Sequence, residues 1–417
     1  MIGITELAAI VGFTLLVGLL AGSYPSLILS SFKPAVTLKG KLQGTGKGKS
    51  LRNVLVVLQF TISCTLITAT FLFQRQVNFL QQTKLGFDKE NVILVNNADQ
   101  IQDQEAFQTQ LSQVQGIVSV SYSTSGPIGD YDGTQIGDPT KEDQYQIVNI
   151  NRADDMFLPT MKRDCISGRN FSRDLARDSS AVILNKTAAD MLFGSTETGG
   201  QLAFKGGTRR YDVVGVIEDF NFESLRKEVM PLVIFHRAGG STMEIRISEG
   251  NYQQTLDNIS SFWATRAPDV PFTYSFVDQQ YDALYTSERQ TGLLISAFAV
   301  IAIIIACLGL FGLAAYMAEQ RTKEIGIRKT LGASVPSILV MLSKDFVKVI
   351  SIGFILSLPL AYYLIEGWLE NFAYKISPGF LAFTVGGIIA MVLAVLTISL
   401  QSAKAANLNP VDTLKNE

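Results

Sequence analysis

Three stretches of this sequence gather residue types that could do chemistry. Gly44–Ser50 reads GTGKGKS, the glycines and lysines of a phosphate cradle. Such a loop needs a further glycine with four residues between it and the Gly-Lys-Ser, and that position is Gln43. It also needs a strand before it and a helix opening directly after it. The flanks here are an apolar run and a charged stretch, so a flexible Gly/Lys linker is the better account. Asp219 and Glu223, in GVIEDFNFESL, could form an acid/base pair. No nucleophile or second base accompanies them, and acids at a strand-to-helix junction commonly sit at a helix start. The third stretch is Glu319–Ala333, EQRTKEIGIRKTLGA. It sets Arg321, Lys323, Arg328 and Lys329 against Glu319 and Glu324. Ile325, Ile327 and Leu331 stand among those charges, Gly326 lies inside, and Gly332 and Ala333 close it. As a helix it is short, amphipathic and cationic, a shape that docks on another surface. The plainer alternative is a charged loop that only fixes topology.

Other reactive groups are scarce. The single histidine, His236, follows the apolar run Leu232–Phe235 and reads as structural. Cys64 and Cys307 lie in apolar runs and Cys165 stands alone, so neither a disulfide framework nor a zinc cluster is implied. No catalytic, cofactor-binding or metal-binding residues are assigned.

These stretches are positioned by elements of two kinds. The chain has 417 residues, 47% hydrophobic and 17% charged, with a net charge of −2. The charge fraction is below the roughly 25% of soluble domains, because apolar runs of about 20 residues, long enough to cross a bilayer, bracket an ordinary polar block. The near-zero net charge gives no case for a nucleic-acid partner. Five spans are expected: Leu7–Leu29 (within 1–30), Val54–Phe73 with an outward stalk to 85, 291–317, 346–364 and 380–402. Leu7–Leu29 lacks the basic flank and cleavage site of a signal peptide. Thr61, Ser63 and Thr65 in the second span are uncharged and can bond within the helix or to a neighbour. Pro336–Asp345 reads as an interfacial amphipathic segment, and Glu366–Ser377 as an external loop whose Trp368, Phe372 and Tyr374 sit at the membrane interface.

Residues 86–285 form the soluble block, an α+β domain of two subdomains. Strands are expected at Val92–Val95, Val118–Tyr122, Tyr145–Ile150, Ala181–Leu184, Tyr211–Val216, Pro231–Phe235, Met243–Ile247 and Phe272–Val277. Helices are expected at Gln104–Val114, Asp154–Met161, Lys186–Phe193 and Gln253–Ala267. Gly126–Thr140, rich in Gly, Pro and Asp, reads as a long loop.

Six basic and no acidic residues lie from Lys33 to Arg52, which puts the linker 31–53 inside. Arg321–Lys329 and the tail with Lys404 and Lys415 also fall inside, so the N-terminus and the polar block fall outside. No span carries an ionisable residue at mid-depth, which argues against a channel or secondary transporter. Pro34, Thr37, Leu38 and Lys39 recur as Pro410, Thr413, Leu414 and Lys415, each set following an apolar run. The chain thus reads as the C-terminal half of a duplicated permease.

EQRTKEIGIRKTLGA resembles the signature of the FtsX/MacB family of ABC transporter permeases. Val214–Leu225 with Pro231, and Ala181–Ala188 (AVILNKTA), resemble the MacB periplasmic core domain. The resemblance implies a five-span helical membrane protein of the bacterial inner membrane, N-terminus out and C-terminus in, with an extracytoplasmic domain over 86–285 and an FtsX-like region over 286–417. It implies that the chain binds no cofactor, that ATP and magnesium sit on a separate cytosolic ATPase, and that Glu319–Ala333 contacts that ATPase. Further implied partners are a missing first permease half or second permease copy, a periplasmic adaptor, and the lipid bilayer. The competing reading is a membrane-anchored sensor. It would need a cytosolic signalling module, and the longest inside segments are too short for one.

Overall fold

A computed structural model describes residues 46–406 apart from 84, 130, 142 and 143, together with isolated positions between 8 and 19. The expected first span, most of the basic linker and the Pro34/Pro410 repeat lie largely or wholly outside the described residues.

Helix α1 (Gly46–Gln82) has 37 residues. At 1.5 Å per residue it is about 55 Å long, well over a hydrocarbon core of about 30 Å, so it runs on as a stalk. It also starts earlier than the glycine-rich sequence suggests: Gly46–Arg52, expected as linker, is already helical, because extending an existing helix costs far less than nucleating one.

The polar block is α+β. Its strands are β1 (Val92–Asn96), β2 (Ile117–Ser123), β3 (Asp132–Gly137), β4 (Tyr145–Ala153), β5 (Cys165–Gly168), β6 (Ala181–Asn185), β7 (Gln201–Phe204), β8 (Arg210–Ile217), β9 (Leu232–His236), β10 (Thr242–Ile247) and β11 (Tyr274–Phe276). Between them lie α2 (Gln104–Leu111), α3 (Phe157–Thr160), α4 (Lys186–Phe193) and α5 (Tyr252–Arg266), with α6 (Val277–Ala283) last.

The pairings divide this domain in two. An antiparallel sheet runs β11-β1-β10-β2. Residues alternate faces along each strand, so Ile93, Val95, Val120, Met243 and Ile245 share one face and bury against Phe107 and Leu111 of α2 and Ile259 and Trp263 of α5. Trp263 Nε1 donates to the Val270 carbonyl at 2.8 Å. The second half is a ring, β4-β3-β7-β8-β6-β9, in which β9 returns to pair in parallel with β4. Val148, Leu184, Leu202, Val216 and Val233 fill it. A single pair, Ser123 with Ala153, connects the two sheets.

Several expected boundaries shift. Gly126–Thr140 is not all loop, since Asp132–Gly137 is β3, paired along its length with β4. Ile136 is the only large apolar residue in that strand, so no alternation marks it. The strand expected over Phe272–Val277 keeps only three residues, and Val277 opens α6 instead. Strands β5 and β7 are four residues each, too short to leave a period.

Beyond α6 come α7 (Thr286–Gln320), α8 (Thr322–Thr330), α9 (Val335–Leu369) and α10 (Phe380–Ala406). Pro336–Asp345 and the residues after it, expected as two elements, form one helix. Among the described residues three helical stretches are long and apolar enough to cross a membrane: Arg52–Gln82, Thr286–Gln320 and Phe380–Gln401. α7 buries its small residues Ala299, Ala306 and Ala314 and leaves Leu293, Phe298, Ile301 and Leu308 exposed. That is the pattern of a helix whose small face meets neighbours and whose large face meets lipid. Thr61 Oγ1 donates to the Gly353 carbonyl at 3.2 Å and Ser63 Oγ to the Ala302 carbonyl at 3.3 Å, so the polar residues of α1 do bond to neighbouring helices. Thr65 bonds within its own helix, to Thr61.

Candidate coupling segment

Helix α7 ends because Arg321 leaves helical geometry, at φ −103° and ψ 15°. Its N–H still reaches the Met317 and Ala318 carbonyls, each at 3.2 Å, and its own carbonyl accepts from Ile325. One residue therefore separates α7 from α8. The guanidinium of Arg321 pairs with Asp345 of α9 at 3.2 Å, which ties the joint to the following helix.

The far end of α8 is closed by glycine. Gly332 sits at φ +87°, a conformation that costs other residues dearly. Its N–H bonds the Lys329 carbonyl at 3.1 Å, and the Ala333 N–H bonds the Arg328 carbonyl at 2.9 Å. These two bonds are the Schellman closure of a helix. Ser334 then starts α9 from an extended conformation.

Between these ends the apolar residues separate. Ile325 is buried and packs on Ile338, with Ala333, Val335 and Met341 around the pair. Gly326 beside it is buried as well. Ile327 is 53% exposed and Leu331 81% exposed. The expectation that Ile325, Ile327 and Leu331 would together face a partner is thus corrected: Ile325 holds α8 onto α9, and Ile327 and Leu331 are the apolar groups turned outward. Among the charges, Arg328 pairs with Glu324 at 2.8 Å one turn away, a contact of a few tenths of a kcal/mol. Glu319 is exposed in the last turn of α7 and Lys329 is half-buried on α8. The Lys323 side chain lies outside what is described.

The other candidate chemistries resolve into structure. Asp219 accepts from the Thr187 N–H at 2.9 Å and its hydroxyl at 2.8 Å, at the start of α4. Glu223 pairs with Lys227. His236 Nδ1 lies 3.2 Å from the Asp178 carbonyl, with its ring against Phe171. No group of three or more potential metal ligands occurs among the described residues.

Sequence reasoning missed a second set of polar contacts, where the stalk, α7 and the α9–α10 connection meet the domain. Trp368, Phe372 and Tyr374, expected as an interfacial aromatic set, take part in these contacts. Trp368 stacks on Phe73 of α1 at 4.3 Å, and Phe372 is buried in the cluster that includes Leu80, Leu225 and Tyr285. The signal available was Gln76, a polar residue three positions after Phe73 on the same apolar stripe as Val77 and Leu80.

Residues 54–263, half of the chain, match the MacB-like periplasmic core domain, and residues 296–410 match the FtsX-like permease C-terminal domain. The chain belongs to the MacB/FtsX family of ABC transporter permeases. The macrolide export ATP-binding/permease protein MacB of Chromobacterium violaceum is 26% identical over 264 residues, 60% of this chain and 40% of that protein. The ABC transporter permease YknZ of Bacillus subtilis is 23% identical over 288 residues, 64% of this chain and 70% of YknZ. The match thus spans less than half of that MacB. The periplasmic region of MacB from Actinobacillus actinomycetemcomitans aligns at 14% identity and a TM-score of 0.35, over 48% of this chain and 95% of that region.

Proposed function

We propose that this chain is the membrane subunit of an ABC transporter in which a separate cytosolic ATPase drives movement of the extracytoplasmic domain, without substrate passing between the membrane helices. The observation that carries the reading is the continuity of α7. It runs without a break from Thr286, beside the domain, to Gln320, one residue from the cationic segment. A helix unbroken over that length can carry an angular change across a bilayer. In this reading the domain is outside, Glu319–Ala333 is inside, α9 is also a span, and the chain sits in the bacterial inner membrane.

The contact with the ATPase is made by α8 and the start of α9. Ile327 and Leu331 supply the apolar anchors, and Arg321, Lys323, Arg328 and Lys329 steer them toward an acidic rim. ATP and magnesium belong to the partner, and a second permease half or copy completes the assembly.

The test is co-purification with the ATPase and stimulated hydrolysis in nanodiscs. Ile327→Asp places an unpaired charge in the buried part of the contact and should uncouple hydrolysis more severely than Lys323→Ala. If Ile327→Asp leaves both readouts at the wild-type level, the segment is only a topology-setting loop.

A further inference from the structure

The segment Leu225–Arg226 follows the Asp219–Glu223 motif and is held from three directions. From the α6–α7 junction, the Tyr285 hydroxyl accepts from the Leu225 N–H at 2.9 Å and lies 3.2 Å from the Tyr281 hydroxyl, which reaches the Leu80 carbonyl of α1. From the α9–α10 connection, the Ala373 N–H donates to the Arg226 carbonyl at 2.9 Å and the Tyr374 N–H to the Leu225 carbonyl at 3.3 Å. From α7, Glu288 pairs with the Arg226 guanidinium, which also lies over the Phe372 ring at 5.3 Å.

Two further facts single out this junction. Glu288 is 4% exposed and its Oε2 has no hydrogen-bond partner. Arg226 is thus the partner that compensates the burial of this side chain. Gln76 of α1 is fully buried and spends both ends of its amide on the connection. Its Nε2 donates to the Tyr374 carbonyl and its Oε1 accepts from the Ile376 N–H, each at 2.9 Å. An amide used twice fixes a backbone in position as well as in depth.

We propose that Arg226 is a positioning residue that makes the extracytoplasmic domain, α7 and the α9–α10 connection move as one body, with Gln76 locking that body to the stalk. The proposal rests on the coupling reading above and names the joint at which motion enters the domain. The Arg226 side chain contacts both α7, at Glu288, and the α9–α10 connection, at Phe372. Without it the domain keeps its fold but follows α7 less tightly.

The experiment uses spin labels on the full chain in nanodiscs and needs no ATPase. Cys64, Cys165 and Cys307 are replaced by alanine, and labels are placed at Val118→Cys on β2 and Leu308→Cys on α7, both exposed. One narrow distance is expected. Arg226→Ala and Glu288→Gln should each broaden it, and the exchanged pair Arg226→Glu with Glu288→Arg should restore it. With Trp368→Phe in the background, emission from buried Trp263 reports that the domain remains folded, and Arg226→Lys serves if Arg226→Ala does not fold. An unchanged width in the folded single variants, or no recovery in the exchanged pair, overturns the proposal. Indifference of hydrolysis to Ile327→Asp would instead overturn the coupling reading and leave this distance measurement intact.

Discussion

Ile325 and Ile338 bury each other across the turn from α8 to α9, at 5% and 1% exposed. The neighbouring Ile327 faces the other way. The same residue type thus does two jobs two positions apart, one holding the segment and one presenting it. Ile325→Ala should cost about 2–4 kcal/mol of local stability, the usual range for such a truncation, and speed hydrogen exchange throughout α8. Ile327→Ala should leave that exchange unchanged. Equal effects would mean the two side chains are not divided in this way.

The glycines of α10 make a second case. A Cβ at Gly386 would lie 2.1 Å from Thr68 Oγ1 and 2.7 Å from the Cys64 carbonyl, so it meets backbone of α1. At Gly387 it would lie 2.1 Å from the Phe354 ring, a side chain that can turn. Gly312 of α7 has nothing within 4 Å. Thermal unfolding in detergent should therefore rank Gly386→Ala as most damaging and Gly387→Ala next. Gly312→Ala should be neutral or stabilising by up to about 1 kcal/mol, the helix penalty of glycine. A Gly386→Ala protein as stable as wild type would mean that α1 and α10 do not pack this closely.

Two carboxyls near the junction of the sheets set a pH dependence. Burial raises Glu244 to about 8, although the Ser121 and Ser123 hydroxyls bond it, and raises Asp154 to about 7, against Gln108 and the Tyr122 N–H. Both folded values exceed the unfolded ones near 4, so the folded domain binds the extra protons. Their contribution is greatest below about 4 and is lost as pH rises through 7 to 8. Asp178 acts oppositely: its bonds from Arg169 hold it low, and its contribution is lost at the acid end. Unfolding followed by Trp263 emission should show the domain gaining stability from pH 8 toward pH 5. Glu244→Gln should flatten that rise, and an unaltered rise would assign it elsewhere.

Asn185 is fully buried at the start of α4. Its oxygen accepts from the Ala188 and Leu232 N–H groups at 3.0 and 2.8 Å, and its nitrogen donates to the Met230 carbonyl at 2.9 Å. Asn185→Ala removes a helix cap and a strand anchor together and should cost about 2–4 kcal/mol, a cap plus stranded backbone groups. Asn185→Asp keeps the two accepted bonds and should cost less. A chemical-unfolding midpoint lowered equally by both would point to the donated bond alone.

Much of this architecture was legible because its signals are long. An apolar run of 20 residues states its own environment. The four expected helices of the soluble block and its longest strands fall where periodicity places them, α6 being unforeseen, and the cationic segment is a separate short helix. What failed was short or relational. β3 has one buried large side chain and takes its identity from β4. Ile325 and Ile327 look alike until the turn at Gly332 brings Ile338 onto one of them. Arg226 and Glu288 lie 62 positions apart in an ordinary mix of charges, and nothing local says that one is buried against the other.

The parallel pairing of β4 with β9 bears on how the domain reaches the far side of a membrane. Asn149 is matched to Leu232, with more than eighty residues of chain between them. A chain crossing from its N-terminus delivers β3 and β4 early and β9 late. Until His236 has emerged, β4 carries an open edge, and open edges recruit foreign strands. Closing so long a loop is also slow compared with making a hairpin. The ring therefore cannot assemble strand by strand during export. It has to wait for its last member, β9, before it can close.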